Sequence, residues 1–211
     1  MTKTALIWGA AGGIGRAIAA KLKADGWQII AVSRQEDDLG GIANYTFAAD
    51  VSDPFGVQRA VLAAGQEAGE VSLFIYAVGD IIAQLAVKMS PETFRRILDA
   101  NLIGAYNTYH HSQPLLTPDA PLVFIGAVSE RMRLPGLSAY AAAKAGLEAF
   151  AEALRKEERK RRIIVVRPGA VNTKFWEKVP FKMPGNALAP EAAAEKVVEA
   201  ISAGQQGTLD L

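Results

Sequence analysis

The sequence has no cysteine, so neither a disulfide nor thiol chemistry can contribute to it. It has two histidines, His110 and His111, adjacent in a helical pattern. Residues one apart cannot share a helix face, so no metal centre is expected. Neither sign of charge is in excess: 23 basic residues stand against 22 acidic, for a net +1. Such a balance gives no long-range pull toward nucleic acid or an anionic membrane, and neither partner is expected. Arg155 to Arg162 carries both signs and closes a helical pattern, which fits a solvated helix end with basic residues at its negative dipole. No segment approaches the ~20 apolar residues of a membrane span. The opening apolar run, Ala5 to Trp8, is too short for a secretory signal and runs into glycines. No repeat, linker or low-complexity stretch is present. The expectation is a single cytoplasmic domain over 1–211, long enough to bury a substantial core.

What is present is alternation. Apolar runs at Ala5–Trp8, Gln28–Ser33, Tyr45–Ala49, Ser72–Tyr76, Leu122–Gly126 and Ile163–Arg167 read as strands. Several are almost continuously apolar, as strands covered on both faces are. Helical patterns lie between them: Ile14–Ala24, Pro54–Gln66, Pro91–Asn101 with an extension through about His111, Ala139–Arg159, and Pro190–Ser202. Asp53-Pro54 and Ser90-Pro91-Glu92 place a capping side chain before proline at a helix start. The pattern predicts an α/β fold: a Rossmann-type doubly wound parallel sheet of six to seven strands with helices on both faces. Thr208–Leu211 would supply the seventh strand.

The stretch Trp8-Gly9-Ala10-Ala11-Gly12-Gly13-Ile14-Gly15 joins the first strand to the first helix. Glycine there permits a sharp turn, close backbone approach to a phosphate, and tight helix–sheet packing. The helix start offers free N–H groups and a positive dipole end to a diphosphate. In such a sheet, ligands bind beyond the carboxyl ends of the strands, so residues just after each strand are informative. After the second strand come Ser33 and Arg34, a hydroxyl and a guanidinium suited to a ribose 2′-phosphate. That favours NADP(H), with NAD(H) possible, although Glu36, Asp37 and Asp38 follow closely. After the third strand, Asp50-Val51 fits two roles: a hydrogen bond to an adenine amino group with valine against the ring, or a plain helix-entry aspartate. Tyr140 and Lys144, four apart in a helical pattern, share a face. A phenol titrates near ~10, and a neighbouring ammonium favours the phenolate and lowers that value.

Taken together, these pieces resemble a short-chain dehydrogenase/reductase over nearly the whole chain. The matching elements are Gly9 to Gly15, Asp50-Val51, Asn101 in Asn101-Leu102-Ile103-Gly104, the Tyr-x-x-x-Lys of Tyr140 and Lys144, and Arg167-Pro168-Gly169-Ala170-Val171-Asn172-Thr173. The resemblance implies hydride transfer between NAD(P) and a carbonyl or alcohol. It makes Tyr140 the acid/base, has Lys144 hold the nicotinamide ribose and lower the tyrosine pKa, and gives Asn101 a water in the proton path. Gly9, Gly13, Ile14, Gly15 and Gly79 would lie along the cofactor, while Pro168, Gly169, Val171 and Thr173 line its nicotinamide end. Family members also pair helices between subunits, and the small-residue stripe Ala141, Ala145, Ala149, Ala153 suits such pairing, so a homodimer or homotetramer is expected.

Three departures stand out. The family's serine, thirteen residues before the tyrosine, is Ala127; Ser129, two residues on, or a water would have to replace it. Its Asn-Asn-Ala-Gly is Tyr76-Ala77-Val78-Gly79, so the ties made by the asparagines must be made otherwise. Its threonine before the first glycine is Trp8, read as core packing. The chain is also short for the family. About 172–189, Phe175, Trp176, Val179, Phe181 and Met183 mix with charges and with Pro180 and Pro184. That composition fits a lid over a hydrophobic carbonyl compound, or a surface loop tucking its aromatics into the core. Two functions stay open: a reductase or dehydrogenase, and a catalytically weak NADP(H)-binding sensor or scaffold. A methyltransferase on a similar sheet would have no purpose for Tyr140, Lys144 and the Pro-Gly element.

Overall fold

The computed structural model describes residues 3–35, 39, 41–179 and 181–211. Glu36, Asp37, Asp38 and Pro180 lie outside the described residues. Seven strands alternate with helices: β1 (Thr4–Trp8), α1 (Gly13–Ala24), β2 (Gln28–Ser33), β3 (Tyr45–Ala48), α2 (Pro54–Ala68), β4 (Leu73–Tyr76), α3 (Pro91–Leu98), α4 (Gly104–Ser112), β5 (Leu122–Ile125), α5 (Ser138–Glu157), β6 (Ile163–Arg167), α6 (Pro190–Ser202) and β7 (Gly207–Asp210). The sheet is parallel throughout, in the order β3-β2-β1-β4-β5-β6-β7. The chain winds outward from β1 to β3, returns to the other side of β1 at β4, and winds outward again. That reversal between β1 and β4 opens a crevice at their carboxyl ends.

The alternation of side chains along β1 shows how both faces fill. Ala5 and Ile7 pack with α1 and α6, while Leu6 and Trp8 pack with α2, α4 and α5. Trp8 is buried in that second cluster, as the sequence suggested, and its edge also reaches the crevice. Asp53 accepts from the Phe55 N–H at 3.1 Å and Ser90 accepts from the Thr93 N–H at 3.2 Å, each with proline at the first helical position. The helix expected from Pro91 to about His111 is not continuous. A π-turn, Asp99–Ile103, separates α3 from α4 and holds Asn101.

Tyr76 supplies a tie that the sequence left unassigned. It is fully buried at the end of β4, and its hydroxyl donates to the Ala100 carbonyl in the π-turn at 2.7 Å. Asn107 adds a second tie, donating to the Val51 carbonyl at 3.0 Å. Tyr76→Phe is expected to cost about 1–2 kcal/mol, read as a lower urea midpoint at unchanged slope. An unchanged midpoint would show that the hydroxyl bond carries no stability.

Candidate active site

The chain leaves β1 through Gly9, whose φ of +83° lies in the left-handed region. A Cβ there would sit 2.8 Å from the Ala77 carbonyl carbon and the Val78 nitrogen. A Cβ on Gly15 would collide with the Gly9 carbonyl oxygen, and one on Gly13 with the Thr173 methyl group. The bare turn therefore lets α1 start hard against the end of β1, with β4 beside it. The cap residue, Gly12, has no side chain to offer the helix start, and no acidic residue lies in the first turn. The N–H groups of Gly13, Ile14 and Gly15 thus have no acceptor within the helix. They form a seat for an anion.

The crevice has a volume of about 1050 Å³. Gly9 and Gly12 border it, with Ser33 and Arg34 at the end of β2, Asp50 and Val51 after β3, and Val78 and Gly79 after β4. The wall toward α3 is made by Arg95, Arg96 and Asp99, and Asp80 and Lys178 also line it. Sequence reasoning assigned none of these last five to the site; Asp80, directly after Gly79 in the stretch that follows β4, carried the one local signal. Asp50 Oδ1 accepts from the Ser52 N–H at 2.9 Å and from its hydroxyl at 2.7 Å. Burial alone would raise the Asp50 carboxyl, but the Ser52 bonds and the Arg34 charge outweigh it and hold the group below its ordinary value. Ser33 donates to the Gln35 carbonyl.

Beyond Gly79 lie the buried polar groups. Asn101 is fully buried; its Nδ2 donates to the Asp80 carbonyl at 2.7 Å and the Ile97 carbonyl at 2.9 Å. Its Oδ1 has no partner among the described residues. A Cβ on Gly79 would lie 3.2 Å from that oxygen and 3.7 Å from Lys144 Nζ, so the three residues face one point. Lys144 Nζ donates to the Ile125 carbonyl at 2.8 Å and lies 5.8 Å from the Tyr140 ring centre. Burial pushes the Lys144 ammonium down to about 8, against an opposing pull from Glu148. The Tyr140 ring packs 6.0 Å from Phe175, within an apolar cluster that includes Ile81, Ala127, Leu137, Met132 and Val179.

Two expectations about this end need correction. Lys144 was expected to lower the Tyr140 pKa, but burial raises the phenol above its ordinary value. Its ammonium is turned to the Ile125 carbonyl, and the apolar packing around the ring dominates. Ser129 was one of two candidates, with a water, to replace the hydroxyl missing at Ala127, and the structure does not bring it there. Instead β5 ends at Ile125 and Ser129 opens a 3₁₀ turn, Ser129–Met132, in which its hydroxyl donates to Glu148 Oε2 at 3.3 Å. Arg167, beside Glu148 at 3.8 Å, is held mainly by Asp210 and Glu130. Thr173 stands against Gly13. Pro168, Gly169 and Val171 follow β6 but are not part of the crevice lining; Gly169 donates to the Leu211 carbonyl at 3.4 Å, and Val171 pairs with Leu188 in an isolated bridge.

A doubly wound sheet with a side-chain-free turn at its switch point and buried phenol, ammonium and amide beyond it defines a nucleotide-binding oxidoreductase fold. The sequence pattern of the short chain dehydrogenases matches residues 3–183, and the chain belongs to that family. It is 32% identical to the 3-oxoacyl-acyl-carrier-protein reductase FabG of Escherichia coli (strain K12), over 81% of this chain and 74% of that protein. It is 28% identical to the corresponding reductase MabA of Mycobacterium tuberculosis, over 89% and 77%. Among solved structures, an alcohol dehydrogenase from the archaeon Thermococcus sibiricus, complexed with 5-hydroxy-NADP, superposes with a TM-score of 0.90 at 26% identity, covering 100% of this chain and 96% of that one. No helix among the described residues is long and apolar enough to cross a membrane, and no group of three or more candidate metal ligands is found among them.

The buried ammonium gives a pH signature. Between pH 8 and 10.5, the unfolded lysine still carries its proton while the folded one has lost it, so the unfolded chain binds more protons and stability rises with pH. Relative to Lys144→Met, the wild type should gain on the order of 3 kcal/mol across that window, measured by urea unfolding at successive pH values. A constant difference would mean that Lys144 is not buried as a strained cation.

Proposed function

We propose that the chain is an NADP(H)-preferring reductase or dehydrogenase of apolar carbonyl compounds and secondary alcohols, with Tyr140 as acid/base. The observation that carries the reading is the convergence of Gly79, Asn101 Oδ1 and Lys144 Nζ beyond the carboxyl ends of the strands, on the helix face that also holds Tyr140. The bare turn and the unpartnered Asn101 oxygen fit a dinucleotide with its diphosphate on the start of α1 and its nicotinamide end toward Lys144. The bound cofactor would supply the hydride. The protein's residues do the rest: Tyr140 donates or accepts the proton at the substrate oxygen. Lys144 is one hydrogen bond from the Ile125 carbonyl and turns to a ribose hydroxyl, and Asn101 Oδ1 holds a water that relays the proton outward. Gly13, Ile14 and Gly15 seat the diphosphate, and Thr173 stands over that turn with Pro168, Gly169 and Val171 framing the far end. Val51 and Asp50 take the adenine, and Ser33 with Arg34 takes the 2′-phosphate.

Substrate class follows from what surrounds the phenol. Ile82, Met89, Met132, Phe175 and Val179 pack onto the cluster around Tyr140, and they offer no polar partner to a substrate rich in hydroxyls. The loop of about 172–189, tied by the Asn172 N–H to the Leu188 carbonyl at 2.8 Å, is read as the lid. The outer faces of α4 and α5, with Ile103, Tyr106, Ala145 and Ala149 exposed, are read as the surface that pairs two copies. Light scattering at micromolar concentration should return a dimer or larger, and a monomer would contradict that pairing.

A second reading, an NADP(H)-binding protein with little turnover, is favoured by one feature. Ala127 provides no hydroxyl beside Tyr140, Ser129 is committed to Glu148, and burial raises the phenol. A panel of apolar ketones with NADPH separates the two. Turnover that falls about a thousandfold in Tyr140→Phe, with cofactor affinity nearly unchanged, supports the enzyme. NADPH binding with no oxidation across the panel supports the sensor. Arg34→Asp should shift preference toward NADH; tighter NADH than NADPH binding by the wild type would overturn the cofactor assignment.

A further inference from the structure

We propose that Asp80 is a positioning residue that fastens the lid to the shelf carrying Asn101. The proposal rests on the reading of the loop of about 172–189 as a lid. Asp80 follows Gly79 at the end of β4 and works from both its main chain and its side chain. Its carbonyl oxygen accepts from Asn101 Nδ2 at 2.7 Å. Its Oδ1 meets Lys178 Nζ at 2.8 Å, and its Oδ2 meets Arg96 Nη2 at 3.4 Å. Lys178 ends the 3₁₀ turn Lys174–Lys178 in the lid, and Arg96 belongs to α3. One carboxylate thus joins three elements that are distant in sequence.

The same turn carries Phe175, whose ring lies 6.0 Å from that of Tyr140. The lid turn is therefore pinned at one end by an apolar contact on the acid/base and at the other by the ion pair on Asp80. The Asp80 side chain is 19% exposed and two cations converge on it, so its charge is less screened than in an isolated surface pair. Asp80, Arg96 and Lys178 all line the cofactor crevice. Releasing Lys178 frees the lid turn on the crevice side while leaving the glycine turn and the Tyr140 helix untouched. The lid then opens more often, and the cofactor leaves faster.

The test uses the whole chain as purified, with Asp80→Asn, Asp80→Glu, Lys178→Gln and the Asp80→Asn/Lys178→Gln double variant. The first readout needs no cofactor: amide hydrogen exchange over 173–183, where the Trp176 N–H is held by the Thr173 carbonyl and the Val179 N–H by the Trp176 carbonyl. Asp80→Asn and Lys178→Gln should each speed exchange there about two- to fivefold and the double variant no further, while Asp80→Glu should retain most of the protection. The second readout is stopped-flow release of NADPH, which should accelerate by a similar factor, with KM for NADPH rising more than kcat changes. Unchanged exchange in Asp80→Asn, or effects that add in the double variant, would overturn the clasp. Faster exchange with unchanged NADPH release would reduce Asp80 to an ordinary surface ion pair and overturn its positioning role. A wild type that binds no NADPH would refute the proposed function, while the exchange result would still decide the clasp.

Discussion

The structure depends on three missing side chains. At Gly9, Gly13 and Gly15 a single added carbon would run into the end of β4, into Thr173 and into the turn's own carbonyl. Emptiness there lets strand, helix start and the neighbouring strand end approach one another closely. The order cost of glycine is met by the surrounding sheet, whose central strands are wholly buried. From that close approach follow the bare N–H groups at the head of α1 and the crevice over the switch point.

Polar groups are then buried beside Gly79, against the general preference for apolar interiors. Lys144 is compensated by the Ile125 carbonyl, and half of Asn101 by two main-chain carbonyls. The remaining half of Asn101 has no partner among the described residues, and the helix that carries it is interrupted by a π-turn, a feature that recurs at functional sites. Asn101 Oδ1 and Lys144 Nζ would lie 3.2 and 3.7 Å from a Cβ on Gly79.

The architecture was legible because parallel strands covered on both faces leave apolar runs, and because Asp53, Ser90 and their prolines mark helix starts. Six strands lie within a residue or two of the apolar runs that announced them, and β7 lies within one residue of the tail Thr208–Leu211. Tyr140 and Lys144 were legible because one helical turn is a fixed spacing. What stayed hidden depended on tertiary path or packing. A π-turn adds one residue to a helical turn and leaves no compositional trace, so α3 and α4 read as one helix. Whether Ser129 could stand in for the missing hydroxyl stayed open in the sequence because it turns on where β5 stops, and the chain curls there into a 3₁₀ turn. The raised Tyr140 phenol comes from apolar neighbours such as Phe175, contributed by a loop far along the chain. Asp80 and Lys178 are 98 residues apart, beyond the reach of any local pattern.

The central claim is that the buried ammonium and phenol act on a dinucleotide seated upon the first turn. A crystal structure of the complex with NADP(H) tests it most directly. The account predicts the diphosphate against the N–H groups of Gly13 to Gly15 and the Lys144 ammonium bonded to the nicotinamide ribose, with the Tyr140 hydroxyl beside the nicotinamide ring. A diphosphate bound elsewhere, or a nicotinamide remote from Tyr140, would contradict it.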